Sequence, residues 1–183
     1  MSQFSNILTS RNLVKHNGQS LWKYNLTETD FHHLRNTLME YKNLTDVDSR
    51  DCVLYYAEWW KRCYNGGYPS KGDVFNSISN GQFYDGESFY KQAKKGATIL
   101  GIPWIKHQNT LYFKTLLLQG GLPIKHISNN KGAYKNFLLK ILEIKPSSID
   151  DFAFDPAITS LLPGSARNDE IFECCLGIVK AIN

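Results

Sequence analysis

The sequence predicts a mainly α-helical fold, a compact domain of about seven helices with one small β-hairpin, on three observations. Apolar residues recur at spacings of three and four through most of the chain, the pattern of helices that bury one stripe. These stretches open on helix-start chemistry, most clearly at LTETDF, where Thr27 and Asp30 have the spacing of a capping box and Leu26 and Phe31 that of a hydrophobic staple. One stretch, IPWIKHQNTLYF, instead reads as two β-prone runs around a polar KHQNT turn.

In chain order, residues 1–20 are polar with an Asn-Gly turn, and read as a loosely attached arm ahead of a single helical domain over 21–183. Phe31, Leu34, Leu38 and Tyr41 continue the helix begun at Thr27 as one apolar stripe. Asp48, with Asp51 three residues on, opens DSRDCVLYYAEWWKRCYNGG. Its apolar residues cover more than half the circumference and leave Asp51, Glu58, Lys61 and Arg62 as a narrow polar strip, which predicts a central core helix. Gly66 and Gly67 give it a left-handed stop. SKGDVFNSISN predicts a short helix with Val74, Phe75 and Ile78 inward, and ESFYKQAKKGATILGI a longer one with Lys91, Lys94 and Lys95 clustered on its outer side. The hairpin follows, its first strand confined to an edge by Pro103. LYFKTLLLQGG passes into a short helix stopped at Gly120 and Gly121. NNKGAYKNFLLKILEIKP turns Tyr134, Phe137, Leu138, Ile141 and Leu142 inward and Lys131, Lys135 and Lys140 outward. DDFAFDPAITSLL is a short connector or helix, and Asn168 caps a last apolar-periodic helix running to Asn183. An apolar helix without a basic last turn or tail reads as the end of an N-terminal piece of a longer protein; a small complete protein whose last helix docks on its core is the other reading.

The 183 residues, 42% hydrophobic and 13% aromatic, supply the core of one domain of ordinary size. A net charge of +4 allows an anionic partner without requiring one. On a continuous helix Cys52 and Cys63 would stand roughly 16 Å apart along the axis, beyond disulfide reach. Cys174 and Cys175 are neighbours. With no apolar run of membrane-spanning or signal length, the thiols read as free in a reducing cytoplasm, and no membrane partner is expected.

Catalytic signatures do not assemble among these residues. Neither the phosphate-cradling G-x-x-x-x-G-K-[ST] nor a G-x-G-x-x-G is present, which disfavours nucleotide chemistry. Adjacent His32 and His33 point about 100° apart on a helix and cannot grip one ion as an i, i+4 pair does. The triplets Glu40-Tyr41-Lys42 and Glu143-Ile144-Lys145 resemble the tail of a nuclease metal motif but fall at helix ends. No metal or other cofactor is expected, and catalysis would need a site of unfamiliar composition.

What remains is a binding surface. In AEWWKRCYNGG, Trp59 beside Lys61 and Arg62 supplies aromatic and cationic groups that could stack on bases or anchor a protein interface, with Trp60 expected in the core. Helix, turn, helix and hairpin over 71–113 is the element order of a winged helix, in which Lys91, Lys94, Lys95, Lys106 and His107 would contact phosphates. Gln92 is the one obvious base reader there. A solvated lysine face beside a structural hairpin explains the same residues.

Three blocks, RDCVLYYAEWWKRCYNGGY, LLLQGGLPIKHI and LLPGSARNDEIFECCLGIVKAI, give the chain a further likeness. It resembles the N-terminal region of very large bacterial YjiT-like proteins found in defence islands. The resemblance implies a bacterial anti-phage setting and the head of a longer chain, and carries over no catalytic residue. The expected function is therefore a non-catalytic recognition or scaffold domain that binds a partner protein, or the rest of its own chain, or senses an invader. A DNA-binding winged-helix-like module acting through the lysines is one alternative, and an enzyme with an unrecognised site is the other.

Overall fold

A computed structural model describes residues 3–10, 20–103, 106–107, 110–111, 113–143 and 156–162. The fold is mainly helical and divides into two compact units, one of Met1–Trp60 with Pro69–Gly121 and one of Lys61–Tyr68 with Leu122–Asn183. Among the described residues no helix is long and apolar enough to cross a membrane.

The first unit is organised around one helix. Helices α1 (Gln3–Ser10), α2 (Glu28–Glu40), α3 (Ser49–Arg62), α4 (Lys71–Asn76), α5 (Gly86–Ile99) and α6 (Lys114–Leu118) follow in order, with 3-10 turns at Leu21–Tyr24 and Leu44–Asp46. The capping box forms as expected at α2: Thr27 Oγ1 accepts from the Asp30 amide, and the Asp30 carboxylate accepts from the Thr27 amide. Ser70 and Asp73 repeat it at α4. The stripe of α2 is buried at Phe31, Leu34 and Leu38.

In α3 every residue from Asp51 to Trp60 is buried, including two expected on its wet side, Asp51 and Glu58. Two glycines let neighbouring backbone lie directly against this helix. A Cβ on Gly96 of α5 would stand 1.9 Å from the Ser49 carbonyl oxygen, and one on Gly120 would stand 2.0 Å from that of Ala57. Trp60 is fully buried and its indole N–H donates to the Gly121 carbonyl at 2.8 Å. An aromatic cluster fills the space between α3, α4 and α5, with Phe89 stacked on Tyr56 and tilted against Phe75.

Two expectations are corrected here. Residues 3–10 are not a loose arm: they form α1, with Phe4 and Ile7 buried and the Phe4 ring edge-on to Tyr24. The physical reason is Asp51, whose carboxylate accepts the Gln3 amide at 2.9 Å and the Phe4 amide at 2.7 Å, satisfying donors at the open start of α1. The hairpin expected across 102–113 is not seen at that length. Lys106–His107 pairs with Thr110–Leu111 in an antiparallel ladder of two residues a side. Pro103 has no amide to extend it, and Phe113 already has helical backbone angles as the residue entering α6.

The second unit contains α7 (Ile124–Asn129), α8 (Lys131–Leu142) and α9 (Pro156–Thr159). Gly66 and Gly67 both have positive φ, but α3 already ends at Arg62, so they turn the chain after the helix rather than stop it as expected. Tyr134, Phe137 and Ile141 are buried and Lys131, Lys135 and Lys140 exposed, as the α8 pattern predicts. Leu142, expected inward, is 44% exposed, because it lies at the last turn of the helix. The helix expected from Asn168 lies outside the described residues.

Candidate functional site

The expected aromatic-basic patch at 59–62 does not form. Trp59 is only 8% exposed and belongs to the core of the first unit. Lys61 and Arg62 are half-buried and belong to the second. The α3 stripe is wide enough to swallow both tryptophans, so Trp59 presents no surface for stacking.

The lysines of α5 do reach the surface. Lys91 and Lys95 are exposed one turn apart, while Lys94 is half-buried with its ammonium 5.1 Å from the Tyr90 ring centroid. Lys71 approaches the same ring at 4.4 Å and pairs with Glu87 at 2.7 Å, which holds the Glu87 carboxyl below its usual range. Two of the cations around this helix are thus engaged with an aromatic face or a carboxylate. Gln92, the expected base reader, donates its side-chain amide to the Val47 carbonyl at 3.1 Å. Lys106 and His107 lie in the short ladder.

Sequence reasoning missed the loop between α4 and α5, which it treats as a turn-rich connector. An open groove of about 610 Å³ is lined by residues 43–45, 82–85 and Ser88. Phe83 stands at it with 83% of its surface exposed, although the loop carrying it is tightly braced. The Phe83 amide donates to the Lys42 carbonyl at 3.0 Å, and the Lys42 ammonium donates to the Asn80 carbonyl at 2.7 Å. Gln82 donates to the Ile78 carbonyl and accepts from the Asn80 amide. Asp85 caps α5 by accepting from the Ser88 amide at 2.8 Å, a bond that keeps its carboxyl below the usual range and therefore ionised. Beneath Phe83, the Tyr84 ring packs on Phe75 and Phe89, and burial pushes its hydroxyl up to about 12. The signal available in the sequence was NGQFYDG, an aromatic pair between two glycine turns.

Two other titratable groups are buried within the fold, Cys52 and His126. Burial raises the Cys52 thiol well above its ordinary range, which leaves it an inert core group. Neither Cys52 nor Cys63 is in a disulfide. Among the described residues no three His, Cys, Asp or Glu side chains converge as a metal site would require. In the second unit His126 is buried between Tyr64 and Tyr134, with Nδ1 2.8 Å from the Tyr134 hydroxyl, and burial lowers its pKa.

Compared with known proteins, residues 1–122 match the model of the YjiT N-terminal domain. The matched span ends one residue beyond the last residue of the first unit, Gly121. No curated protein and no solved structure matches the chain.

Proposed function

We propose that this chain, which belongs to the YjiT N-terminal domain family, is a recognition domain: a non-catalytic head of a larger bacterial anti-phage defence protein that binds a partner protein. The defence setting rests on the likeness of its sequence blocks to YjiT-like proteins. The binding role rests on one observation, an almost fully exposed phenylalanine on a hydrogen-bonded loop beside a groove. Holding a large apolar ring in water gains the isolated domain nothing, and a loop braced from Lys42, Ile78 and Asn80 has little conformational freedom left to lose on association. Preorganised aromatic side chains of this kind are the usual anchors of protein interfaces. The test is a photoreactive phenylalanine analogue at position 83 of the full-length protein in its host, with position 95 as the control. A discrete protein adduct at 83 and none at 95 is expected; the reverse pattern sinks the reading.

The packing of α4 against α5, with Lys91 and Lys95 exposed, supports a second reading as a winged-helix-like DNA-binding module. Gln92 and Lys71 being engaged within the fold weighs against it. Fluorescence anisotropy with labelled duplex and single-stranded DNA at two salt concentrations decides. Each phosphate neutralised adds about 0.9 to the log-log salt slope, so tight, salt-steep binding that is lost when Lys91, Lys94 and Lys95 become alanine would displace the protein-partner reading.

A further inference from the structure

The groove beside Phe83 has a charge character that narrows the partner, if the recognition reading above holds. Residues 43–45, 82–85 and Ser88 contribute one ionised side chain, Asp85, and no cation. Asp46 follows directly on this lining, is exposed, and accepts from the Thr45 hydroxyl. The nearest ammonium on the same segment, that of Lys42, is occupied by the Asn80 carbonyl. The lining therefore offers a bare aromatic ring and one carboxylate, that of Asp85, on which the positive charge of Lys91 also acts, in a chain whose net charge is +4. That combination suits a guanidinium, which can lie on the face of an aromatic ring while donating to a carboxylate. The Asn43 side chain, exposed and without a hydrogen bond among the described residues, adds an amide able to pair with a peptide group. The site is an open groove rather than an enclosed cavity, and its walls come from two segments joined by the Phe83 amide and the Lys42 carbonyl. An extended segment fits such a site better than a small compact ligand.

We propose that the Phe83 groove binds an extended peptide segment of a partner protein that carries arginine next to an apolar residue, the apolar residue packing on Phe83 and the guanidinium lying between its ring and the carboxylates of Asp85 and Asp46. The Asp85 carboxylate in the lining disfavours a nucleic-acid backbone there, since a phosphate would face it.

The probe is a displayed library of random peptides of about twelve residues, selected on the intact chain and counter-selected on Phe83→Ala. Phe83 is exposed, so the variant should fold, which circular dichroism verifies. Enrichment of arginine-bearing apolar sequences is expected. A synthetic consensus peptide should bind about tenfold or more weakly to Phe83→Ala, more weakly to Asp46→Asn, and not at all when its arginines become glutamate. Enrichment of acidic sequences, or of binders indifferent to Phe83→Ala, would overturn the proposal. A library that yields nothing while the photoreactive group at position 83 still captures a protein overturns the peptide proposal and leaves the recognition reading standing. Failure of both experiments removes both.

Discussion

Asp51 joins the first helix to the core, and its titration can be worked through quantitatively. Its carboxylate is 1% exposed, and burial pushes its pKa up from 3.8 to about 6 despite the amides of Gln3 and Phe4 that favour the charged form. Asp48 raises it further and Arg50, bound to Asp48, lowers it. The native state therefore holds a proton more tightly than the unfolded chain. Between pH 4 and pH 6 the folded protein is the more protonated, so stability falls as pH rises through that window and is level on either side. A shift of roughly two units at 1.36 kcal/mol per unit corresponds to about 3 kcal/mol. The perturbation is Asp51→Asn, which retains one acceptor and removes the titration. Urea unfolding of both proteins from pH 3.5 to 8 separates this group from all other carboxylates, whose effects cancel in the difference. The stability of wild type relative to Asp51→Asn should decline by about 3 kcal/mol from the acid to the neutral end. A flat difference, or one that grows with pH, would refute the reasoning and mean that the two amide bonds outweigh burial.

Four further perturbations test the packing and the buried histidine. Gly96→Ala places a methyl against the Ser49 backbone and should cost about 3 kcal/mol, the upper end of overpacking penalties, whereas Gly132→Ala, with nothing within 4 Å, should gain up to about 1 kcal/mol in the same thermal melts. The Tyr56 hydroxyl is buried with no hydrogen-bond partner among the described residues, so Tyr56→Phe should stabilise the protein by about 1 kcal/mol in urea. His126 is held neutral by burial, so its contribution is complete above pH 6.5 and is lost as pH falls below that value; wild type should lose stability there relative to His126→Phe, and parallel pH profiles would contradict the assignment.

Local chemistry was legible in the sequence and long-range assembly was not. The Thr27–Asp30 box and the inward faces of α2 and α4 depend on residues within a few positions of one another, and the sequence reading of them holds. Asp51 has the spacing of a capping acid for α3, yet its carboxylate accepts from Gln3 and Phe4, 48 and 47 residues away, which no local pattern reveals. The same limit hid the burial of Glu58 and Trp59: helical periodicity identifies the apolar face of α3 but does not say that neighbours enclose the other side too. Lys91 and Lys95 of α5 point outward as expected, while the engagement of Lys71 and Lys94 with Tyr90 depends on how α4 meets α5. The Phe83 groove joins segments some forty positions apart, and its phenylalanine lies in a stretch whose glycines read only as turns.

The central claim is that Phe83 anchors a protein partner. It is tested most directly by calorimetry on the protein captured at position 83, titrated into wild type, Phe83→Ala and the double variant Lys91→Ala, Lys95→Ala. The account predicts a loss of about 2 kcal/mol or more, roughly thirtyfold in Kd, for Phe83→Ala, and an unchanged affinity for the lysine variant. Equal binding by wild type and Phe83→Ala would contradict it.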